Sequence, residues 1–159
     1  MARVDTPQPP AAGAPLPPPL IVALVMAAGW GASRVAPLAT PRGMVIAMIA
    51  GALGVLAVIL LAGAVLAMRR AHTSVAPWDP TTTLLTTGVF GISRNPIYVA
   101  FLMIQALLSL AGGNGWSLVL LPVSWYLLDV VQVRREERYL VKTFGDAYLD
   151  YTRHVRRWL

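Results

Sequence analysis

Two uncharged stretches of sequence constrain the fold of this chain more than any other feature. Residues 43–68 contain no charged side chain, and residues 95–128 contain none either. Each stretch is longer than the roughly 20 apolar residues that a helix needs to cross the hydrocarbon core of a bilayer. Only 13% of the chain is charged, against about 25% in a typical soluble domain, so few charges are available to cover a water-facing surface. The sequence therefore predicts an integral membrane protein.

The apolar residues divide into four predicted transmembrane helices. The first spans residues 20–38 and the second residues 43–68. The second uncharged stretch is too long for one helix, and the Gly-Gly-Asn-Gly sequence at residues 112–115 interrupts it. It is therefore predicted to form a helical hairpin with arms at residues 96–111 and 116–131. Because each arm is short for a span, the arms must pack against longer helices or lie where the bilayer is thin.

A proline-rich tail at residues 1–19 precedes a single predicted domain, residues 20–159. Seven of the thirteen prolines lie in this tail, and proline removes a backbone donor and fixes φ, which favours an extended, poorly ordered segment. A secretory signal peptide is the competing interpretation. It is disfavoured because the proline-rich spacer is long and the apolar run that follows continues past any small-residue cleavage site.

The C-terminal tail is charged and aromatic, and its pattern predicts two short helices. Gly145 can end the first helix and Asp146 can cap the second. On the second helix Tyr148, Tyr151 and Val155 recur on one face, which is typical of an amphipathic helix that lies on lipid headgroups. The predicted fold class is thus an all-α, polytopic membrane protein, with four transmembrane helices, a C-terminal helical hairpin and cytoplasmic amphipathic helices.

The distribution of Lys and Arg predicts the orientation of the chain in the membrane. Four spans place both termini on one side, and eleven of the thirteen cationic residues fall on that side, whereas only Arg34 and Arg42 fall on the other. The excess of positive charge marks the cytoplasmic side. The predicted location is therefore the cell inner (cytoplasmic) membrane, with both termini cytoplasmic. Membrane lipids with anionic headgroups account for the net charge of +6, so no nucleic acid partner is expected.

The scarcity of Cys and His limits the chemistry that the chain can perform. It has no cysteine and two histidines, which excludes disulfides, thiolate metal sites, a cysteine nucleophile and a multi-histidine metal site. No metal is therefore expected. Any chemistry has to depend on carboxylates, arginines, tyrosines or a bound cofactor.

One group of candidate site residues lies where the third predicted span begins. Pro96 suits the first turn of a helix, with Ser93 or Asn95 as its cap. A helix N-terminus favours anions, and the guanidinium of Arg94 would add a forked donor there. The simpler interpretation of Arg94 is an anchor at the membrane interface.

A pair of carboxylates, Glu136 and Glu137, lies about one turn beyond the fourth predicted span. Adjacent helical residues point about 100° apart, so one carboxylate can face inward while the other faces water. A surface salt-bridge cluster with the neighbouring arginines is the simpler interpretation. Because Arg94 and this pair lie at the two cytoplasmic ends of one hairpin, we expect them to be close in space and to form a site with both signs of charge.

The motifs and their order resemble those of the isoprenylcysteine carboxyl methyltransferase and phospholipid methyltransferase superfamily. The resemblance covers roughly residues 69–159 and excludes the first two spans. The motifs that carry it are Arg94-Asn95-Pro96-Ile97-Tyr98, then Glu136-Glu137, then Phe144-Gly145 with Tyr148 and Tyr151, together with Thr81 to Gly88 and the closing Val155-Arg156-Arg157-Trp158.

The resemblance implies a membrane-embedded methyltransferase with its catalytic region in residues 69–159. Such an enzyme would transfer a methyl group from S-adenosylmethionine to a lipophilic acceptor from the bilayer, an isoprenylcysteine-type carboxylate or a phospholipid-type amine. It implies catalytic roles for Arg94 and Glu137. The residues that it places around the cofactor are Arg94, Asn95, Pro96, Tyr98, Glu136, Glu137, Tyr139, Phe144, Tyr148 and Tyr151.

One position departs from the family pattern, and two other classes of protein remain as alternatives. Many family members have His where this chain has Asn95, and Asn can form hydrogen bonds but cannot titrate. A small four-span transporter or scaffold without catalysis is the main alternative. A proton-coupled carrier needs an acidic residue within a span, and only Asp129, near a cytoplasmic end, is available. A membrane reductase with a nicotinamide cofactor is disfavoured because the chain has no dinucleotide fingerprint. The acceptor and the oligomeric state are left open by the sequence.

Overall fold

The computed structural model describes residues 16–73 and 83–159, and the regular structure of these residues is helical. The predicted all-α class is confirmed for this part of the chain. Residues 1–15 of the proline-rich tail lie outside the described residues, as do Thr81 and Thr82. The elements in chain order are α1 (Pro18–Val35), α2 (Met44–Arg70), a 3-10 helix (Gly88–Gly91), α3 (Pro96–Ala111), α4 (Gly115–Val119), α5 (Leu121–Leu128), a π-helix (Asp129–Val133), α6 (Arg134–Phe144) and α7 (Asp146–His154).

Helices α1 and α2, with 18 and 27 residues, are long and apolar enough to cross a membrane. Helix α1 begins at Pro18, two residues before the predicted start, because proline fits the first turn of a helix, where its missing N–H is not needed. The apolar side chains of α2 are largely exposed, Met44 at 81% and Val58 at 66%. A soluble protein would bury such side chains in its core, whereas lipid tails can cover them in a membrane.

The third and fourth spans are only partly reproduced and stay predictions. Helix α3 has the predicted bounds, and the break that follows it has Gly113 at φ +67°. The side chain of Asn114 caps α4 by accepting a hydrogen bond from the Ser117 backbone N–H at 2.9 Å. The arm that was predicted as one helix is divided, because α4 ends before Leu120 and Pro122, which lacks a backbone donor, lies in the first turn of α5.

The chain forms two compact units. Of the described residues, the first unit holds 60–73, 83–97 and 130–159, which include α6, α7 and the residues that lead into α3. The second unit holds 16–59 and 98–129, which include α1, α4 and α5. The helices of the second unit are joined by small and polar residues, whereas the first unit has a buried aromatic cluster.

Small and polar residues join the helices of the second unit. The backbone of Gly29 on α1 lies so close to α4 that an added Cβ would be 2.7 Å from the Ser117 Cα. The Nε2 of Gln105 on α3 donates a hydrogen bond to the Ser117 carbonyl at 2.9 Å, and the Nδ2 of Asn114 donates one to the Ser33 hydroxyl at 3.3 Å. Small residues that allow close backbone approach, together with interhelical hydrogen bonds, are typical of helix packing in membranes.

The first unit contains a sharp turn between α6 and α7. Gly145 has φ +54°, a conformation that glycine adopts at no steric cost. The prediction that Gly145 ends the first helix is confirmed, whereas the predicted cap is wrong. Asp146 is the first residue of α7 itself, Gly145 occupies the cap position, and no side-chain hydrogen bond caps the helix.

The turn at Gly145 folds α7 so that its aromatic face is covered by protein. The buried cluster of the first unit consists of Leu84, Phe144, Tyr148 and Tyr151, with Leu140 and Val155 packed against it. The stripe that the sequence placed on lipid headgroups therefore faces other residues of the chain. The prediction of headgroup contact through this stripe is wrong, because an apolar stripe is equally well satisfied by the protein's own side chains.

Candidate active site

The centre of the candidate site is one carboxylate held between two guanidinium groups. The Nη2 of Arg94 lies 3.2 Å from the Oε1 of Glu137. The guanidinium of Arg157 donates two hydrogen bonds to the same carboxylate, from Nε to Oε1 at 3.0 Å and from Nη2 to Oε2 at 2.6 Å. The side chains of Arg94 and Glu137 are 12% and 16% exposed, and that of Arg157 is 37% exposed. The predicted proximity of Arg94 to the carboxylate pair is confirmed for Glu137.

The residues before α3 hold Arg94 in place through local and long-range hydrogen bonds. The Asn95 backbone N–H donates to the Ser93 hydroxyl at 3.1 Å, so Ser93 stabilises the chain immediately before the helix. The Arg94 backbone N–H donates to the Arg156 carbonyl at 3.0 Å. Pro96 is buried and is the first residue of α3. This backbone is thus fixed between the helix start and the C-terminus.

Asn95 does not face outward from the helix start but contacts the closing residues of the chain. Its Nδ2 donates a hydrogen bond to the Arg157 carbonyl at 2.8 Å, and the Ser93 hydroxyl donates to the same carbonyl at 3.4 Å. Asn95 is buried. An amide is sufficient for this contact because the interaction needs a donor and not a titratable ring.

Two tyrosines form the aromatic side of the site. The rings of Tyr148 and Tyr151 lie 6.0 Å apart between centroids, at an interplanar angle of 64°, the edge-to-face arrangement that aromatic pairs favour. The Tyr151 hydroxyl donates a hydrogen bond to the Phe90 carbonyl of the 3-10 helix at 2.5 Å. Phe144 lies in the same buried cluster.

Burial raises the pKa of both phenols further above physiological pH. Loss of solvent raises the pKa of Tyr151 to about 12, with Arg94 opposing the shift. Loss of solvent also raises the pKa of Tyr148, and the Glu137 carboxylate adds to this shift while Arg94 and Arg157 oppose it. The hydroxyls of this pair therefore remain protonated and can donate hydrogen bonds.

Three further residues that the sequence assigned to the cofactor lie outside the contacts described above. Tyr98 is buried in the second unit, where its ring centroid lies 6.5 Å from that of Phe101. Glu136 and Tyr139 lie on α6, but they point about 100° and 160° away from Glu137 around the helix axis. The roles of these three residues stay predictions.

Arg157 is the site residue that sequence reasoning missed. It was grouped with the closing residues of the family pattern and with the cations of the cytoplasmic side. Nothing in its local sequence distinguishes it from Arg153 or Arg156, because its position depends on contacts with Ser93 and Asn95, more than 60 residues earlier. Two signals were available: its place in the closing motif of the family pattern, and a membrane-proximal carboxylate that needs a cationic partner.

Two polar side chains at this centre have hydrogen-bonding positions that the contacts above do not use. Among residues 16–73 and 83–159, the Nε of Arg94 is buried without a hydrogen-bond partner, so it can donate to an anion. A carboxylate has about four acceptor positions, and the Oε2 of Glu137 receives only one of the contacts described above. The donor on Arg94, the acceptor on Glu137 and the nearby aromatic rings suit a molecule with an anionic group, a hydroxyl or amino group, and a planar ring.

Comparison with known sequences identifies the family. The sequence model of the phospholipid methyltransferase family matches residues 45–147, more than half of the chain. The chain belongs to the phospholipid methyltransferase family. The resemblance inferred from the motifs is thereby confirmed, although the match extends back over α2, which the motif comparison excluded, and ends before Tyr148. Family membership, together with α1 and α2, makes this a membrane protein of the methyltransferase class.

The comparisons also found a similar protein of known organism. An uncharacterized protein of Haemophilus influenzae is 35% identical over 63 residues, which are 40% of this chain and the whole of that protein. No solved structure is significantly similar to the chain. Because this relative is uncharacterized, it adds no activity to the family assignment.

Proposed function

We propose that this phospholipid methyltransferase family member transfers a methyl group from S-adenosylmethionine to a lipophilic acceptor that enters from the bilayer. The acceptor would be an isoprenylcysteine-type carboxylate or a phospholipid-type amine. The observation that carries the proposal is the partly buried Glu137 carboxylate between Arg94 and Arg157, beside the Tyr148 and Tyr151 rings.

The residues at this centre fit the proposed cofactor by their chemistry. S-adenosylmethionine carries a carboxylate, an amino group, ribose hydroxyls and an adenine ring, and it supplies an activated methyl group for displacement by a nucleophile. The buried Nε of Arg94 would donate to the carboxylate. Glu137 would accept from a hydroxyl or the amino group, and the cluster of Phe144, Tyr148 and Tyr151 would provide an apolar wall.

The contribution of the protein to this reaction would be alignment and exclusion of water. A methyl transfer needs the donor and the acceptor in line, and fixed positioning accelerates such bimolecular steps. Ion pairs and buried rings around Glu137 provide fixed contacts. A site enclosed by protein and lipid would also exclude water, which competes for the methyl group.

The decisive experiment combines a binding assay with a transfer assay. Purified protein in detergent is expected to bind S-adenosylmethionine in calorimetry, and binding should be lost in Glu137→Ala and Arg94→Ala. Incubation with methyl-labelled S-adenosylmethionine and lipid extracts separated into acidic, zwitterionic and neutral fractions should label a lipid, which mass spectrometry would identify as an ester or an N-methylated amine. Asp150→Asn on the exposed face of α7 is the matched control and should retain both properties.

Two results would contradict the proposal. Wild-type affinity in both Glu137→Ala and Arg94→Ala would show that the cofactor binds elsewhere. An absence of cofactor binding by the wild-type protein, with no labelled product from any fraction, would favour the transporter or scaffold alternative.

The Lys and Arg distribution leads us to propose that the site faces the cytoplasm, in the cell inner membrane. The exposed Pro41 lies between α1 and α2, near Arg34 and Arg42, whereas the exposed Asp150 lies on α7 among the majority of the cations. Because the chain has no cysteine, Pro41→Cys and Asp150→Cys each introduce a single thiol. An impermeant maleimide should label Pro41→Cys in right-side-out vesicles and Asp150→Cys in inside-out vesicles. The reverse pattern, or labelling of both from one side, would exclude the proposed orientation.

A further inference from the structure

We infer that Arg157 is a positioning residue, which orients Glu137 through its side chain and is itself positioned by Ser93 and Asn95 through its backbone. This inference rests on the proposed function, because it assigns how the carboxylate at the centre of that site is kept in place. It also assigns a role to Asn95 that does not depend on contact with the cofactor.

The backbone of the closing residues is tied to the start of α3 by three hydrogen bonds. The Arg94 N–H donates to the Arg156 carbonyl at 3.0 Å, and both the Asn95 amide and the Ser93 hydroxyl donate to the Arg157 carbonyl. Val155 packs against the buried aromatic cluster. These contacts hold residues 155–157 in one place against the start of α3 and the aromatic cluster.

The side chain of Arg157 determines the orientation of the Glu137 carboxylate. Its Nε and Nη2 contact different carboxylate oxygens, at 3.0 Å and 2.6 Å. Such a bidentate contact fixes rotation about the Cγ–Cδ bond of Glu137. The single contact of Arg94 with Oε1 would not fix it. Lysine, a point charge with rotating donors, cannot reproduce this geometry.

An exposed ion pair on α7 shows what a contact without such a role looks like. Arg153 and Asp150 lie 3.9 Å apart, with side chains 77% and 69% exposed. Pairs of this kind contribute little because water and salt screen them. Arg157 differs from Arg153 because its partner is only 16% exposed and its own backbone is fixed. Arg153→Gln is therefore the matched control for Arg157→Gln.

The expected result is a loss of affinity that Lys restores only in part. In calorimetry with S-adenosylmethionine, Arg157→Gln should raise the Kd at least about tenfold, as expected for loss of charge-assisted hydrogen bonds that preorganise the site. The Kd of Arg157→Lys should lie between those of Arg157→Gln and the wild type, because lysine retains the charge but not the bidentate geometry of the guanidinium. Arg153→Gln should bind like the wild type. Thermal unfolding of each variant without cofactor separates loss of affinity from loss of the folded protein.

The backbone half of the inference has its own test in the cofactor-free protein. Asn95→Asp places an acceptor opposite the Arg157 carbonyl and should release the closing residues, so trypsin should cleave after Arg156 faster than in the wild type. Asn95→His offers a ring N–H donor and should keep the wild-type cleavage rate. Equal cleavage of the Asn95→Asp variant and the wild type would overturn this half.

The outcomes distinguish this inference from the proposed function. Wild-type protein that binds S-adenosylmethionine, together with an Arg157→Gln variant of unchanged affinity, would overturn the positioning role alone. An Arg157→Gln variant that unfolds at lower temperature yet binds with wild-type affinity when folded would overturn it as well, since the role would then be structural. Wild-type protein that does not bind would overturn the proposed function and this inference together.

Discussion

Replacing Glu137 by Gln is expected to lower the free energy of unfolding by about 3 kcal/mol, because removal of one partner leaves a largely buried charge uncompensated. Gln keeps the shape of the side chain but presents a neutral amide to Arg94 and Arg157, which now contact a carboxylate at 2.6–3.2 Å. The 12% exposure of the Arg94 side chain leaves it little access to water. The same change should abolish detectable binding of S-adenosylmethionine, since both the acceptor and the partner that orients Arg94 are lost.

The measurements are chemical unfolding in detergent and calorimetry with S-adenosylmethionine. Asp150→Asn is the control, because it makes the same chemical change to a carboxylate on α7 that is 69% exposed and paired only with an exposed arginine. Such exposed pairs contribute about 0–1 kcal/mol, so the control should unfold and bind like the wild type. Similar losses of stability in the two variants would contradict the assignment of Glu137 as the centre of the site.

The encounter of Arg94 with Glu137 could be predicted from the sequence, whereas the partner on the other side of the carboxylate could not. Arg94 and Glu137 flank one uncharged stretch, and a chain that crosses and returns brings the two ends of such a stretch to one side. Arg157 is held near Glu137 by contacts of its own segment with residues far earlier in the sequence, including those of Ser93 and Asn95 with its carbonyl. Long-range side-chain to backbone hydrogen bonds leave no periodicity in a sequence, so pattern analysis does not detect them.

The helix bounds that could be predicted from the sequence also have local causes, whereas the cover of α7 depends on long-range contacts. The bounds of α3 were predictable because Pro96 starts a helix and the glycines after Ala111 end one. The interruption at Leu120 has a local cause in Pro122, which the apolar composition of the segment concealed. The sequence predicted the apolar stripe on α7 but not what covers it. Lipid, or protein side chains such as the buried Leu84 and Phe144, would satisfy the same pattern.

Each cation in the first unit can be interpreted in two ways, as a residue that sets the membrane orientation or as a residue of the candidate site. The excess of Lys and Arg on one side of the predicted spans is explained by membrane orientation alone, and that explanation covers Arg94 and Arg157 as well as the exposed Arg153. The three differ in burial and in the partner that each contacts. A cation near a membrane surface therefore becomes a site candidate when a partly buried carboxylate holds it, and not because of its charge.

The second unit depends on a different feature, the absence of a side chain at Gly29. A Cβ at this position would lie 2.7 Å from both the Cα and the N of Ser117, and a backbone cannot move aside as the end of a flexible side chain can. Gly29→Ala is therefore expected to lower the free energy of unfolding by about 2 kcal/mol through overpacking. Thermal and chemical unfolding in detergent would measure the change.

The matched control lies two residues along the same helix. A Cβ at Gly31 would meet no atom within 4 Å, so Gly31→Ala removes only the entropic disadvantage of glycine in a helix and should stabilise the protein by about 0.5–1 kcal/mol. The two substitutions are chemically identical and differ only in what the new methyl group meets, so opposite signs would show that close approach of α1 to α4 holds this unit together. Equal changes in the free energy of unfolding would mean instead that α1 and α4 move apart at Ser117 at little cost. The hydrogen bonds of Gln105 and Asn114 would then be the main contacts that stabilise this unit.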